Sequence, residues 1–376
     1  MKENFDIIII GAGPAGSSCA LAFRNCGYQV ALIDKNIFPR HKTCGDAIPG
    51  NTFKALNYLD PKIALQIRKA STKQEITKAA FFNYKGQKTT VNWSLYAHNL
   101  ERSIFDNQLL EITKEIENIT FFEGQKVLTV KNQNEQVSCI LNSGLELTGK
   151  ILIACDGANS SIKKSLFSAT SFREDNSYFA VSRYYEGLEH LVKNQNEVYH
   201  VKKYPVGYFW IFPLGKGKAN VGFGLLPNRK QPKHVNEAFS DIIENDPIIS
   251  PLFKNAKPLN RTTGAKLPLG GTKSPMSGER FMLCGDAASL VDPISGAGMD
   301  TAIWSGIFAA ECALNCFKKN EFNADIMGQY DSKIHAFLTK KLKRNLLALK
   351  LFAKYPRAIH FVLSISSWYQ KRFANN

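Results

Sequence analysis

The chain of 376 residues has 44% hydrophobic residues and a formal net charge of +16 at pH 7. This length and mixed composition predict a folded protein with two domains and argue against a disordered one. No apolar run approaches the roughly 18–20 residues that span a membrane, and no signal segment precedes the first strand, so we predict a cytoplasmic protein. The eight cysteines and seven histidines show neither a disulfide framework nor a metal-ligand spacing, which indicates a reducing compartment and no metal.

The N-terminal stretch has the pattern of a dinucleotide-binding βαβ unit. An apolar strand over residues 7–10 precedes a helix predicted from Pro14 to Cys26, and a second strand ends at Asp34. Glycines at G-x-G-x-x-G spacing let the backbone approach a pyrophosphate at the helix N-terminus, and the acid can bind a ribose. The residues predicted to contact the cofactor here are Gly11, Gly13, Ala15, Gly16, Asp34 and Lys35. This unit does not distinguish FAD from NAD.

The later elements follow from hydrophobic periodicity and turn residues. We predict helices over 52–69, 99–117, 237–244, 297–318 and 324–352, a meander over 119–152, antiparallel strands over 178–226, and single strands over 151–155, 261–267 and 280–284. A hairpin is predicted over 76–93, with its turn at Lys85-Gly86. Because an aromatic-rich antiparallel segment interrupts the dinucleotide pattern, we expect a discontinuous first domain.

A second cofactor motif follows the strand over 280–284. A Gly-Asp pair ends this strand, and a glycine-rich stretch then leads into a helix predicted to begin near Gly296. The carboxylate suits the hydroxyls of a ribityl chain, and the positive end of the helix would stabilise the negative charge of a reduced flavin. This pattern favours FAD over a nicotinamide cofactor, with a purely structural turn as the alternative. The residues predicted to bind FAD here are Gly285, Asp286, Pro293, Gly296, Gly298 and Met299.

These motifs, together with Asp156-Gly-Ala-Asn-Ser160 and Arg102-x-x-Phe105-Asp106, resemble the FAD-dependent oxidoreductases of the p-hydroxybenzoate hydroxylase type. The resemblance implies that Arg102 and Asp156 also contact the FAD. Where that family has an arginine after the Asp-Gly motif, this chain has Lys163. The substitution retains the charge but loses the bidentate fork of a guanidinium group.

Two further stretches are similar to geranylgeranyl reductases. Residues 205–213 match the P-x-x-Y-x-W-x-F-P motif, and residues 39–45 match a P-R-x-K-x-C-G loop whose cysteine lies near the flavin in that family. The resemblance implies that Cys44 and Gly45 lie at the cofactor, and as a thiol Cys44 would be a catalytic proton donor to a substrate carbon. Lys42 favours a thiolate and Asp46 a thiol, so the sequence leaves the ionisation state open, and an inert loop cysteine is the alternative.

The aromatic residues of the first stretch share one face of a strand. Side chains alternate along a strand, so Tyr208, Trp210 and Phe212 point the same way. Such a row can wall a pocket for a long, apolar, polyunsaturated chain. An inter-sheet core is the alternative for the same spacing, but the resemblance favours a substrate wall.

The resemblance implies a mixed α/β fold, in which an antiparallel β-sheet substrate domain interrupts a Rossmann-type FAD-binding domain and a helical segment ends the chain. We expect the FAD-binding domain to comprise residues 1–74, 98–172 and 268–325, and the substrate domain to comprise 75–97 and 173–267. Residues 326–376 would form the basic helical segment.

The implied function is reduction of isoprenoid, geranylgeranyl-type C=C bonds, with a hydride from N5 of reduced FAD and a proton. An external donor such as NADPH, ferredoxin or a quinol would reduce the flavin. One alternative is a monooxygenase or halogenase of the same fold, although the W-x-W-x-I-P motif of halogenases is absent. Another is a non-catalytic lipid-binding or quinone-binding flavoprotein. The substrate head group and the number of double bonds reduced stay open.

The end of the chain is strongly basic. Residues 333–376 contain ten Lys or Arg and no Asp or Glu. Basic residues interleaved with leucines and followed by Trp368 and Tyr369 suit a segment that rests on an anionic membrane surface, which would place the protein at the inner face of the membrane. Solvated helices packed on the first domain are the alternative. No nucleic-acid-binding module is evident.

Overall fold

A computed structural model describes residues 1–69, 73–133, 135–167, 177–205, 207–225 and 235–355. The strands are β1 (Lys2–Asn4), β2 (Ile7–Ile10), β3 (Val30–Asp34), β4 (Ala47–Ile48), β5 (Gln74–Phe82), β6 (Lys88–Asn99), β7 (Ile119–Glu123), β8 (Val127–Asn132), β9 (Val137–Leu141), β10 (Glu146–Gly149), β11 (Ile151–Ala154), β12 (Ser177–Glu186), β13 (Gln195–Tyr199), β14 (Gly207–Gly215), β15 (Lys218–Leu225), β16 (Lys257–Pro258), β17 (Thr263–Pro268), β18 (Ser277–Gly278) and β19 (Phe281–Leu283). The α-helices are α1 (Pro14–Ala22), α2 (Gly50–Leu59), α3 (Pro61–Arg68), α4 (Arg102–Lys114), α5 (Ser161–Leu166), α6 (Val235–Asn245), α7 (Met299–Lys319), α8 (Ala324–Ile334) and α9 (Lys340–Lys354).

The dinucleotide pattern forms a six-stranded sheet in the order β18-β19-β11-β2-β3-β7. The strands from β19 to β7 are parallel, and all four isoleucines of β2 are buried. This burial is expected of a parallel strand that is covered on both faces. Helices α1 and α7 pack so closely at Gly306 that a Cβ there would lie 2.2 Å from the carbonyl oxygen of Ala15. The mixed α/β fold with a Rossmann-type sheet is therefore confirmed.

A nine-stranded sheet carries the aromatic strand. Its order is β16-β12-β15-β14-β13-β5-β6-β4, with β17 also paired to β12. The predicted hairpin is present, since β5 and β6 pair in antiparallel register. Helix α6 packs on one face of this sheet, where Phe209, Phe223 and Phe239 are fully or almost fully buried. The residue limits proposed for the two domains stay a prediction.

The meander predicted over 119–152 divides between two sheets. Strand β7 pairs in parallel with β3, so it belongs to the six-stranded sheet. Strands β8, β9 and β10 form the antiparallel meander itself. The N-terminal strand β1 joins the same sheet by pairing in parallel with β10. The apolar pattern of β7 did not reveal its partner, because parallel pairing joins segments that are distant in sequence.

Several helices end earlier or start later than periodicity predicts. Helix α1 ends at Ala22 rather than Cys26, and α7 begins at Met299 rather than near Gly296. The helix predicted over 52–69 is divided into α2 and α3, because Asp60 accepts a hydrogen bond from the amide of Lys62 and thus starts a second helix. A π-helical turn over His335–Thr339 separates α8 from α9.

The C-terminal segment is described only to residue 355, so Trp368 and Tyr369 lie outside the described residues. Within the described part of the chain, no helix combines the length and the apolar character that crossing a membrane requires. All eight cysteines are free.

Candidate active site

A cavity of about 930 Å³ is lined by the carboxyl ends of β2, β3, β11 and β19 and by one face of strands β12 to β15. Its volume falls within the range of about 300–1,000 Å³ that is typical of ligand pockets. Most residues predicted for the site line it: Gly11, Gly13, Ala15, Asp34, Lys35, Cys44, Gly45, Arg102, Asp156, Tyr208, Trp210, Phe212, Gly285, Asp286, Gly296, Gly298 and Met299. Gly16 and Pro293 are not part of the wall.

The glycines of the first motif create space beneath the cavity. Gly11 has φ +103°, and a Cβ there would lie 2.3 Å from the carbonyl oxygen of Cys155. A Cβ at Gly16 would lie 1.7 Å from the carbonyl oxygen of Gly11, so this glycine permits α1 to pack on the preceding turn. A Cβ at Gly13 would come within 3.4 Å of the Arg40 guanidinium group. The turn therefore leaves room for a ligand group beside the positively charged guanidinium group of Arg40.

The carboxylate of Asp34 is held rigidly at the end of β3. Its Oδ2 accepts a hydrogen bond of 2.9 Å from the amide of Ala12, and its Oδ1 accepts bonds from the backbone and side chain of Asn36. The side chain is buried at the cavity wall. Oδ2 can accept one further bond, so the geometry is compatible with a ribose hydroxyl.

The second motif also lies at the wall. Gly285 has φ +59° and donates its amide hydrogen to the Ser305 hydroxyl at 2.9 Å. A Cβ at Gly298 would lie 3.4 Å from Oδ1 of Asp286, and Nζ of Lys42 lies 3.8 Å from Oδ2 of the same carboxylate. No side chain caps the start of α7 within the described residues. The start of α7 lines the cavity through Gly298, Met299 and Asp300, and the positive end of the helix dipole there is suited to an anionic ligand.

Asp156 lines the cavity with an acceptor that the described residues leave unsatisfied. Its Oδ1 is buried without a hydrogen-bond partner, whereas Oδ2 accepts a bond of 3.4 Å from the amide of Ile162. Burial raises the pKa of this carboxyl. An orphaned acceptor at a cavity wall fits a ligand that donates a hydrogen bond, such as a hydroxyl or amino group.

Two arginines share one buried carboxylate. Arg102 forms two bonds with Asp106, of 2.7 Å from Nε and 2.8 Å from Nη2, and Nη2 of Arg40 lies 3.1 Å from Oδ2 of the same residue. The sequence assigned no role to Arg40, although it stands in the quoted P-R-x-K-x-C-G loop. The structure places its guanidinium group beside Gly13, so a cation lies at the glycine-rich turn.

Cys44 lies beside this arginine cluster. Its Sγ is 3.8 Å from Nη1 of Arg102, and its carbonyl oxygen accepts a bond of 2.7 Å from Nδ2 of Asn220. A Cβ at the adjacent Gly45 would come within 3.1 Å of the Phe212 ring. The thiol loop therefore packs directly against the aromatic strand.

The aromatic row forms a wall of the cavity rather than an inter-sheet core. The ring centroids of Tyr208 and Trp210 are 5.8 Å apart, and those of Trp210 and Phe212 are 6.1 Å apart. The alternating residues Phe209 and Ile211 lie in the core on the opposite face. Burial raises the pKa of Tyr208 to about 12, so this phenol is neutral at physiological pH.

Trp210 is fixed from behind. Its Nε1 donates a hydrogen bond of 2.9 Å to Oδ1 of Asn220. The neighbouring strand presents Gly222, where a Cβ would lie 2.1 Å from Cζ2 of the indole. The asparagine and the glycine thus fix the indole in one position.

Helix α9 contributes a part of the wall that the sequence did not predict. Lys341, Leu349, Phe352 and Ala353 line the cavity. The helix is anchored by Nδ2 of Asn345, which donates a bond of 2.7 Å to Oδ2 of Asp292. The spacing of the leucines on α9 indicates a buried face, whereas the basic residues of the segment favour the membrane interpretation given above. Among the described residues, no group of three or more His, Cys, Asp or Glu side chains is placed to hold a metal ion.

A sequence model of the family described as FAD binding domain matches residues 4–345. A digeranylgeranylglycerophospholipid reductase of Methanopyrus kandleri is 26% identical over 359 residues, which cover 93% of this chain and 87% of that protein. A menaquinone reductase of Mycobacterium tuberculosis is 28% identical over 336 residues, covering 83% of this chain and 77% of the relative.

Solved structures share the fold. A geranylgeranyl bacteriochlorophyll reductase-like protein from Thermoplasma acidophilum superposes with a TM-score of 0.86 at 23% identity, covering 98% of this chain and 92% of that chain. A flavin-dependent brominase superposes with a TM-score of 0.74 at 21% identity, covering 97% and 94% of the two chains.

Proposed function

The chain belongs to the FAD binding domain family and is an FAD-dependent oxidoreductase, and from this premise we propose that it reduces isoprenoid C=C bonds of the geranylgeranyl type. One observation carries the proposal: the aromatic wall and the Cys44 loop line the same cavity as the two cofactor motifs. A long unsaturated chain lying on that wall would therefore reach the cofactor. The names of the similar reductases support this substrate class.

We propose that the cofactor spans the carboxyl ends of the parallel strands. Asp34 would bind the adenosine ribose, and the backbone at Gly13 with the Arg40 guanidinium group would bind the pyrophosphate. Asp286 would bind the ribityl chain, and the first turn of α7 would face the negative end of the reduced isoalloxazine. The unpaired acceptor of Asp156 would receive a hydrogen bond from the cofactor. Reduced FAD supplies the hydride in this chemistry.

The remaining residues would bind and orient the substrate. Tyr208, Trp210 and Phe212 exclude water and offer flat apolar faces to an alkene. The Cys44 thiol lies next to this wall and would donate a proton to the second alkene carbon. Holding alkene, thiol and cofactor in one geometry is the main contribution of the protein to the rate.

We assign residues 1–74, 98–172 and 268–325 to the FAD-binding domain and residues 75–97 and 173–267 to the substrate domain. The strands of the six-stranded sheet from β2 to β19 fall within the first set. Most strands of the nine-stranded sheet fall within the second.

The outer face of α9 supports a proposal about the membrane. Exposed apolar and basic side chains share this face: Leu347, Leu351, Tyr355, Lys343, Arg344, Lys350 and Lys354. The opposite face lines the cavity. A helix with apolar and basic residues on one exposed side suits an anionic membrane surface, from which a lipid substrate would enter.

The decisive experiment is anaerobic. The purified protein is reduced with dithionite, and flavin absorbance is followed after addition of a geranylgeranyl lipid or diphosphate. Reoxidation that depends on the alkene, with a saturated product in the mass spectrum, would support the reductase. Product formation only with oxygen would indicate a monooxygenase or halogenase, and binding without reoxidation a lipid-binding or quinone-binding flavoprotein. Replacing dithionite by NADPH, ferredoxin or a quinol identifies the electron donor.

A further inference from the structure

Asp46 combines two features that reduce stability. Its carboxylate is completely buried and lies outside the cavity wall, and its backbone has φ +60°. A left-handed backbone is less favourable for aspartate than for glycine, although aspartate adopts it more readily than most residues do, and burial disfavours a charged carboxylate. Glycine at this position would remove both costs. A buried carboxyl with a perturbed pKa beside a candidate site is a candidate for a functional role.

The carboxylate of Asp46 accepts hydrogen bonds from three elements. Oδ1 accepts the first amide of α4, from Arg102, at 3.1 Å. Oδ2 accepts the hydroxyl of Tyr184 in β12 and Nδ2 of Asn220 in β15, each at 2.8 Å. Because the residue before α4 provides no side-chain cap, Asp46 performs that function from a distant loop.

The same asparagine connects Asp46 to the candidate chemistry. Nδ2 of Asn220 also donates to the carbonyl of Cys44 at 2.7 Å, and its Oδ1 accepts the indole N–H of Trp210 at 2.9 Å. The helix that Asp46 caps begins with Arg102, whose guanidinium group lies 3.8 Å from Cys44 Sγ. The thiol, the indole and the guanidinium group are thus all held through one buried carboxylate.

We propose that Asp46 is a positioning residue, which with Asn220 fixes the Cys44 thiol relative to the Trp210 ring and the Arg102 guanidinium group. The proposal rests on the proposed function for its effect on turnover, but its effect on the thiol loop is independent of any activity. Asp46 acts through other residues and would not touch the substrate.

Ionisation of Asp46 gives the proposal a pH dependence. Burial raises the pKa of this carboxyl to about 6, although hydrogen bonds from Tyr184, Asn220 and Arg102 act in the opposite direction. Protonation would place a hydrogen on an oxygen that now accepts bonds, so the arrangement should change near this pH. The titratable and charged groups near Asp46 are Tyr184, Arg102 with its partner Asp106, and Cys44, with His41, Glu101 and Lys218 around Tyr184.

The test uses the FAD-loaded full chain and compares Asp46→Gly, Asp46→Asn and Asn220→Ala with the wild type. Asp46→Gly relieves the backbone strain, so it should fold and retain FAD. A matched control is Asp241→Asn, because Asp241 accepts a hydrogen bond of 3.0 Å from Tyr204 and neither residue lines the cavity.

The first readout is the rate at which iodoacetamide alkylates Cys44, measured by peptide mass mapping with half-buried Cys26 as the internal reference. In all three variants we expect alkylation to be about fivefold faster or more, because the loop loses its anchor. The second readout is the rate of alkene-dependent flavin reoxidation. We expect kcat to fall about tenfold with little change in KM, and the change of wild-type kcat near pH 6 to be absent from Asp46→Gly.

Wild-type alkylation and wild-type kcat in Asp46→Gly would overturn the positioning role. If the wild type itself shows no alkene-dependent reoxidation, the proposed function fails, while the alkylation rates still decide whether Asp46 positions Cys44.

Discussion

The hydroxyl of Tyr208 donates a hydrogen bond of 3.0 Å to the carbonyl oxygen of Ser295. This bond joins the aromatic wall of the nine-stranded sheet to the glycine-rich loop that precedes α7. The two candidate binding regions, one for the substrate chain and one for the cofactor, are therefore in direct contact.

The first prediction concerns Gly296, which has φ +67° and lies beside this bond. A Cβ at Gly296 would be 2.8 Å from the Tyr208 hydroxyl. Gly296→Ala should therefore weaken FAD binding about tenfold through backbone strain and this contact. Adding Tyr208→Phe removes the hydroxyl and should restore part of the affinity, as measured by fluorescence titration of the apoprotein. Equal affinities of the single and double variants would show that the contact is unimportant.

The second prediction concerns Asp286. Asp286→Ala should reduce FAD affinity about 100-fold, because the ribityl hydroxyls lose a charged acceptor in the cavity wall. The yellow cofactor should then separate from the protein during gel filtration. Asp325→Ala, at an exposed position in the first turn of α8, serves as the control and should retain FAD. Full cofactor retention in Asp286→Ala would contradict the assignment of the Gly-Asp motif.

The third prediction contrasts two glycines in helices. Gly16→Ala places a Cβ 1.7 Å from a backbone oxygen, so it should destabilise the fold by more than about 4 kcal/mol or abolish folding. A Cβ at Gly328 in α8 would meet no atom of the described residues within 4 Å beyond its own helical turns, and Gly328→Ala should raise the free energy of unfolding by about 0.5–1 kcal/mol. Urea unfolding measures both. Similar stability of the two variants would contradict the packing described for α1.

The fourth prediction concerns the pH dependence of stability. The folded-state pKa of Asp46, about 6, lies above its ordinary value of 3.8. Ionisation of Asp46 therefore disfavours the folded state. The protonated carboxyl contributes stability that is fully present below pH 3.8 and is lost as the pH rises through 6. The free energy of unfolding of Asp46→Asn, relative to that of the wild type, should increase by on the order of 2–3 kcal/mol between about pH 4 and about pH 7.5.

Urea unfolding midpoints of both proteins across this range measure the effect. A stability difference that is constant with pH would show that Asp46 titrates normally. Asp241→Asn provides the comparison, because hydrogen bonding to Lys203 lowers the pKa of Asp241 and the sign of its pH effect should be opposite.

The fifth prediction concerns membrane binding. A chain lacking residues 355–376 should bind vesicles of phosphatidylserine more weakly than the full chain at low salt, and Leu347→Ser with Leu351→Ser on α9 should weaken binding further. None of these proteins should bind vesicles of phosphatidylcholine alone, because burial of the two leucines is expected to hold the helix on the surface only together with electrostatic attraction to anionic lipid. Cosedimentation measures the bound fraction. Unchanged binding after both changes would show that this face does not contact the membrane.

Local patterns in the sequence were sufficient for much of the fold and the cavity. The βαβ unit, the hairpin of β5 and β6 and the alternation of the aromatic strand depend on spacing within one segment, so periodicity predicts them. The same alternation predicts that Tyr208, Trp210 and Phe212 share one face, whereas their placement on a cavity wall was expected from the resemblance. Their role with the substrate stays a prediction.

The interactions between distant segments could not be predicted. Asn220 reaches the carbonyl of Cys44 across 176 positions of the chain, and no local pattern indicates that pairing. Arg40 belongs to the P-R-x-K-x-C-G loop, but its position beside Gly13 depends on the fold of the intervening chain. The charge of helix α9 favours a membrane surface, but packing of its buried leucines places the helix against the cavity.

The close packing of Gly222 against Trp210 constrains how these two positions can change during evolution. With the indole in place, any side chain at position 222 would collide with it, since even a Cβ would lie 2.1 Å from Cζ2. A smaller residue at position 210 would remove that contact, but the same Cβ would still lie 2.4 Å from the backbone carbonyl oxygen of Val181. We therefore expect position 222 to be glycine among related proteins, including lineages in which a smaller residue has replaced the tryptophan.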